Sequence, residues 1–270
     1  MLNLSKKIDV LEYFLIGAPN VGKSTFFNRL TWNYSNVGNA DRITNNVISG
    51  TLRKNHKIKI FDLPGIYNLN PTSDDEQITI NNFFEIENQK IINVISAKNM
   101  KRDLFLTVQL LELFKIDQIV INMIDIAPFK INEFKLMKKL KTPVNLISSN
   151  KNIGVKQIIK DLVLSCNNQQ QTEFNIVYPK LIEEIVKNIQ KQINFKYHSF
   201  KQKGLIIQYL EGNEYIKQIF KKLKIENKIK KIISEVNLTN QKIKTIIKTK
   251  KNEFIKEIIN DICLIKNNFK

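Results

Sequence analysis

Gly17-Ala-Pro-Asn-Val-Gly22-Lys23-Ser24-Thr25 fits the pattern G-x-x-x-x-G-K-[ST], and its position constrains the fold more than any other segment. It follows an apolar run, Glu12 to Gly17, that reads as a strand, and it opens a helical pattern over Lys23 to Leu30. In that context the backbone N–H groups from Gly17 through Ala18, Pro19, Asn20, Val21 and Gly22 turn inward around phosphates, proline lacking its own donor. The helix that follows adds its positive N-terminal end. Lys23 is placed to reach terminal phosphates, the Ser24 hydroxyl to ligate Mg²⁺, and Thr25 to flank them.

The surrounding pattern fits an open α/β sheet. Strands are expected at Val47 to Arg53, Lys57 to Phe61, Ile91 to Ile95, Gln118 to Met123 and Pro143 to Ile147. Helical spacing covers about 74–84, 103–114, 132–140 and 155–164. Strand–helix alternation with β-branched runs predicts a mostly parallel sheet with helices on both faces. Ligands of such sheets bind at the carboxyl ends of the strands. From Cys166 to Thr172 the chain turns polar, which marks a linker. Beyond it strand signals fade, and Ile182, Ile185, Val186 and Ile189 begin a series of helical spacings. Residues 1–166 are therefore read as a P-loop domain and 173–268 as a small all-helical domain. Gly204 and Gly212 are expected at breaks between helices.

Three further segments fall at expected strand ends. Asp62-Leu63-Pro64-Gly65 offers a carboxylate to Mg²⁺ and the Gly65 amide to a γ-phosphate. Asn122-Met123-Ile124-Asp125 offers an Asp that can accept two hydrogen bonds from the N1–H and 2-amino group of guanine, which adenine lacks. Ser148-Ser149-Asn150 offers a backbone N–H to guanine O6. Thr44, in the long segment after the first helix, offers a hydroxyl that can complete the Mg²⁺ shell. Each is weak alone; their order and placement after the phosphate loop make the set specific to a guanine nucleotide.

Composition limits what else the chain can be. With 43% apolar residues, its 270 residues can fill a real core, so disorder is excluded despite a net charge of +18. No apolar run reaches the length of a spanning helix, and Ser5, Lys6 and Lys7 cut short the apolar start, so no signal peptide is expected. Cys166 and Cys263 form no ligand motif; a reducing, cytoplasmic setting is the simplest reading. The basic excess is denser after residue 170, with 21 basic against 10 acidic side chains. It lacks the interleaved aromatics of a nucleic-acid surface, so no nucleic acid is expected as partner; solvated surface lysines from an AT-rich coding bias are the first reading, and facing an anionic membrane surface is the one use it fits.

The set Gly17–Thr25, Thr44, Asp62–Gly65, Asn122–Asp125 and Ser148–Asn150 resembles the translation-factor-related GTPases. More narrowly, the chain resembles the cytosolic part of the FeoB family of ferrous-iron transporters. That resemblance rests on Phe26 to Thr31, Val37-Gly-Asn39, Asp62 to Tyr67, Asp103 to Glu112 and Asn122 to Ala127. In the second half it rests on Tyr178-Pro179 and Gly204 to Asn213, which look like the family's guanine-nucleotide-dissociation-inhibitor domain. The resemblance implies binding of GTP and GDP with Mg²⁺, slow GTP hydrolysis, and a switch role in iron uptake through a membrane-embedded permease domain, at the inner face of the cell membrane. It implies that the helical part docks on the GTPase part and slows GDP release.

The water-orienting Gln found after the Gly of the Asp-x-x-Gly motif in Ras-like enzymes is replaced by Ile66, so hydrolysis should be slow. In related potassium-activated GTPases the second Asn of the loop, here Asn20, holds K⁺ where an arginine finger would sit. On this reading Lys23, Asn20, Thr44 and Gly65 carry catalysis. Three departures bear on it: Ala18 replaces a common Asn, Asn39-Ala-Asp-Arg42 replaces Asn-Trp-Pro-Gly, and Ser96 replaces an Asp. Arg42 offers a finger in cis as an alternative to K⁺. An RNA- or ribosome-associated GTPase and a non-hydrolysing guanine-nucleotide sensor remain the competing readings.

Overall fold

A computed structural model describes residues 10–36, 47–71, 73–86, 90–164, 173–193, 200–236 and 238–264. Thr44, Arg42, Asn39, Gly38, Cys166 and His198 lie outside the described residues.

Strand β1 (Leu11–Ile16) runs through the middle of a seven-stranded sheet. It is flanked by β4 (Ile58–Asp62) and β5 (Lys90–Ser96), both parallel to it. Beyond β5 come β6 (Gln118–Asn122) and β8 (Val144–Leu146), also parallel. On the other side β3 (Ile48–Leu52) and β2 (Thr31–Asn36) close the sheet in antiparallel sense. The order is β2-β3-β4-β1-β5-β6-β8. The fold class expected from sequence is the one observed. An added strand is β2, which begins directly after the first helix, within what the sequence offered only as a long segment before the next strand. Its Thr-Trp-Asn-Tyr-Ser-Asn run carries no aliphatic residues, because it is an edge strand held by β3.

Period-two alternation divides the core. Tyr13 and Leu15 face α1 (Lys23–Leu30) and α5 (Val155–Leu164) in one cluster. Phe14 and Ile16 face the opposite side, which α2 (Asp74–Glu85), α3 (Met100–Leu113) and α4 (Glu133–Leu140) cover.

That second cluster continues without interruption into the C-terminal helices α6 (Lys180–Gln192), α7 (Gln202–Leu210), α8 (Glu214–Lys222), α9 (Glu226–Ser234) and α10 (Asn240–Ile262). Phe84 and Phe114 meet Phe200 with ring centroids 5.5 and 4.8 Å apart. Gly212 ends α7 at φ 89°, as a break requires. Gly204 corrects the expectation: it lies inside α7, where a Cβ would overlap the Glu112 carbonyl, so its role is close helix–helix approach. A short antiparallel pair, β7 (Lys130–Ile131) with β9 (Cys263–Leu264), ties the end of α10 to the sheet half. Among the described residues no helix is long and apolar enough to cross a membrane.

Candidate functional site

Because β4, β1, β5, β6 and β8 are parallel, their carboxyl ends lie along one edge. The phosphate-binding pattern follows β1, Asp62 ends β4, Asn122 ends β6, and Ser148 follows the end of β8 by two residues. The sheet thus gathers the motifs that sequence spacing separates by more than a hundred residues.

Ser24 Oγ donates to Asp62 Oδ2 at 2.7 Å, and Lys23 Nζ lies 3.6 Å from Asp62 Oδ1. Asp62 Oδ1 is buried and accepts no hydrogen bond among the described residues. A carboxylate oxygen so placed beside a hydroxyl is a donor set suited to a hard divalent cation. Gly65 packs on the loop: a Cβ there would come within 2.8 Å of Pro19 N, and Ile66 donates its N–H to the Gly17 carbonyl at 3.1 Å. The Ile66 side chain points into the core. Asn20 is exposed at φ 63°, at the mouth of the loop.

Asn122 does more than its motif suggested. Its Nδ2 donates to the Val21 carbonyl at 3.0 Å, and its Oδ1 accepts the Ser149 N–H at 2.9 Å. Gly22, at φ 81°, makes room for this strap, since a Cβ would overlap Asn122 Nδ2. A cavity of about 280 Å³ opens beside it, lined by Thr25, Met123, Asp125 and the segment 148–150. Ser149 Oγ is buried there and has no hydrogen-bond partner among the described residues. Asp125 sits in a single 3-10 turn, with Lys151 Nζ 4.0 Å from its Oδ2.

Several supporting residues lie in segments that carry the resemblance but were given no role from sequence. Arg29, in the last turn of α1, donates from Nε to the Ser149 carbonyl (3.1 Å) and from Nη2 to the Asn150 carbonyl (3.2 Å). Asp103 is buried at the start of α3; its Oδ2 accepts the Ser96 N–H at 2.9 Å and its Oδ1 pairs with Arg102 Nε at 2.8 Å. Burial pushes its carboxyl above the usual range, against the pull of Ser96 and Arg102. The segment after Gly65 is held from two sides. The Leu69 N–H donates to Gln109 Oε1 at 2.9 Å, and Asn213, from the helical half, donates to the Leu69 carbonyl.

Deeper between the halves, Lys251 is fully buried, 2.8 Å from Glu112 and 2.6 Å from Glu211. Burial alone would lower its ammonium, but the two carboxylates outweigh that and hold it above the ordinary lysine value. Its spacing was a usable signal: Ile247, Lys251 and Ile255 fall on one stripe of α10. Among the described residues no cluster of His, Cys, Asp and Glu could hold a metal ion by itself.

A nucleotide-sized row of loops at the carboxyl edge of this sheet defines the class: a P-loop GTPase fold. The family model described as ferrous iron transport protein B matches residues 11–162, and the FeoB cytosolic helical domain matches residues 178–263. The chain belongs to the FeoB family. It is 36% identical over 210 residues to the Fe(2+) transporter FeoB of Staphylococcus aureus (strain MSSA476), an alignment covering 76% of this chain and 31% of that protein. It is 40% identical over 192 residues to the Legionella pneumophila (strain Lens) transporter, covering 64% and 26%. The chain thus spans about a third or less of the length of these curated relatives. The solved cytosolic domain of L. pneumophila FeoB superposes with a TM-score of 0.78 at 32% identity, covering 93% of this chain and 98% of that one. NFeoB from S. thermophilus bound to GDP.AlF4- and K+ superposes at 0.72 with 28% identity, covering 93% and 99%.

Proposed function

We propose that this chain binds GTP and GDP at the carboxyl edge of its sheet and hydrolyses GTP slowly, as the switch for ferrous iron passage through a membrane domain. The observation that carries the reading is the meeting of Ser24, Lys23 and Asp62 within 2.7 and 3.6 Å, beside a loop that has no room for a side chain at Gly22. The solved relatives bound to GDP support it, as does the curated name of the longer relatives for the iron step.

In this reading the Gly17–Gly22 amides and Lys23 take the phosphates, and Asp125 takes the guanine N1–H and 2-amino group. The Ser149 N–H is already committed to Asn122, so that strap orients the segment from which an amide meets O6. Ser24 and Asp62, with Thr44, would hold Mg²⁺, and the buried, unbonded Asp62 oxygen supports that fit. A bound Mg²⁺ supplies positive charge against the β- and γ-phosphate oxygens. Asn20, exposed at the loop mouth, would hold K⁺, which a relative of this chain binds beside GDP.AlF4-. Ile66 offers only its backbone, so no side chain at that position orients water, and turnover is slow.

Residues 1–166 act as the G domain and 173–268 as the helical domain that slows GDP release; the Asn213 bond to Leu69 supports the coupling. The basic excess of the helical half suits the anionic inner leaflet beside the membrane partner.

The test is GTP turnover by the full chain with Mg²⁺, measured in KCl and in NaCl. Phosphate release faster in K⁺, with Asp125→Asn shifting preference from GTP to XTP, is the expected result. Absence of GTP binding overturns the reading. Equal rates in both salts, abolished by Arg42→Ala, replace K⁺ with an arginine in cis.

A further inference from the structure

A second cavity, of about 680 Å³, lies apart from the nucleotide loops, where the segment after Gly65, the start of α3, Phe129 and α10 meet. Its volume falls in the range of about 300–1,000 Å³ usual for small-molecule sites. Tyr67, Phe105 and Phe129 give it aromatic walls, and no carboxylate lines it. Its rim carries Lys98, Lys101, Arg102 and Lys248.

A chain with 43 Lys and Arg places cations widely, so the charge needs an internal comparison. Another cavity of about 680 Å³, between α8, α9 and α10, is also lined by lysines. There Lys217 pairs with Glu214 at 2.5 Å and Lys230 with Glu226 at 3.0 Å, so two carboxylates offset four lysines, while Lys221 and Lys244 form no ion pair among the described residues. In the aromatic cavity Lys98, Lys101 and Lys248 have no ion-pair partner among the described residues. Arg102 uses its Nε on Asp103, and its guanidinium lies 5.0 Å from the Tyr67 ring centre. Like charges around one concavity repel each other and focus a positive potential into it, which an anion relieves.

We propose that this cavity binds a phosphorylated small molecule of nucleotide size, its phosphates against Lys98, Lys101 and Lys248 and its planar body against Tyr67 and Phe105. It shares no lining residue with the cavity of about 280 Å³ on the guanine side, and none of the residues assigned to the nucleotide lines it. Two connections give binding there a consequence, on the reading of the nucleotide loops above. Tyr67 follows Gly65 by two residues. Arg102 leads through Asp103 to Ser96, whose Oγ donates to Met123 Sδ at 3.4 Å, next to Asn122.

The experiment uses the full chain. A first calorimetric titration with Mg-GDP tests the nucleotide reading by itself. The GDP-saturated protein is then titrated with ATP, whose adenine cannot satisfy Asp125, and retained GDP is measured at the end point. The expected result is one ATP per chain with GDP retained, weakened by about tenfold or more in Lys101→Glu/Lys248→Glu while GDP affinity holds. No ATP uptake, or uptake indifferent to the double reversal, overturns the proposal. So does ATP bound at the expense of GDP, or inorganic phosphate bound as tightly as ATP. Binding to phosphatidylglycerol vesicles without uptake of soluble ATP also overturns it and assigns the cations to a lipid surface. A flat GDP titration counts against the nucleotide site alone, since the ATP arm is still read by the charge reversal.

Discussion

The Asn122 side-chain amide donates to the Val21 carbonyl at 3.0 Å, so a residue at the end of β6 holds the phosphate loop in place. Its oxygen takes the Ser149 N–H, so the same side chain also fixes the loop after β8. Asn122→Ala removes both bonds and leaves the Val21 carbonyl and Ser149 amide without these partners. Each lost bond costs about 0.5–1.5 kcal/mol. GDP affinity should fall by about tenfold to a hundredfold. Equilibrium titration with a fluorescent GDP checks this, and an unchanged affinity would refute the strap.

Arg29 reaches the same loop from the back. Its two bonds go to backbone carbonyls of Ser149 and Asn150, so truncation leaves the guanine contacts themselves intact. Arg29→Ala should speed GDP dissociation by about fivefold to tenfold with little change in association. Arg29→Lys keeps one donor point in place of a fork and should fall between. Stopped-flow displacement separates the two rates, and a slower association with unchanged release would show that Arg29 acts elsewhere.

Much of this site was legible because each motif residue sits at a strand end, and strand ends are where apolar runs stop. Asp62, Asn122 and Ser148 needed only that rule and the order of elements. Arg29 was not legible, because its partners are carbonyls brought near by β8, and no pattern in α1 encodes that. Gly204 was misread, and Lys251 drew no reading, for a shared reason: their surroundings come from another element. A lysine on an apolar stripe and a glycine inside a helix mean close packing, but the partners, Glu112 and the α3 backbone, are supplied by tertiary contact. The strand β2 escaped because an edge strand needs no apolar alternation.

Asn213 has two functions that substitution can separate. Its Oδ1 caps α8 by accepting the Ile216 N–H at 3.0 Å, and its Nδ2 donates to the Leu69 carbonyl. Asn213→Asp keeps the cap acceptor and loses the donor. Its buried carboxylate would face the Leu69 carbonyl, so thermal stability should fall by about 1–3 kcal/mol while amide exchange rises over residues 66–70. Asn213→Ala should lose both. Exchange protected equally in parent and Asp variant would mean that the Leu69 bond holds nothing.

Asp103 gives a pH prediction with a definite sign. Burial raises its folded pKa above the ordinary 3.8, so the fold binds that proton more tightly than the unfolded chain does. Its contribution to stability is therefore fully present below 3.8 and is lost as pH rises through the folded value. Asp103→Asn keeps an acceptor for the Ser96 N–H and removes the titration. Its stability relative to the parent should rise from acid toward neutral pH, across the window opening at 3.8. Urea unfolding of both proteins at a series of pH values reads this directly, and a constant difference would refute it.

Lys251 carries the largest stability prediction. It is buried between Glu112 and Glu211; Tyr178 OH donates to Glu112, and Gln208 Nε2 donates to Glu211 at 3.0 Å. Lys251→Met fills the space but leaves two carboxylates facing each other in the core. Breaking a buried pair from one side costs about 3–5 kcal/mol. The triple change Lys251→Met, Glu112→Gln and Glu211→Gln should recover most of that loss. The amides are neutral, and their carbonyl oxygens still accept from Tyr178 and Gln208. Because the folded lysine pKa lies above the ordinary 10.5, this contribution is fully present below 10.5, neutral pH included, and is lost as pH rises from there through the higher folded value. Urea midpoints at pH 7 for the three proteins decide the matter. A single variant as stable as the parent would mean the cluster is solvated, and a triple variant as weak as the single would assign the loss to packing rather than charge.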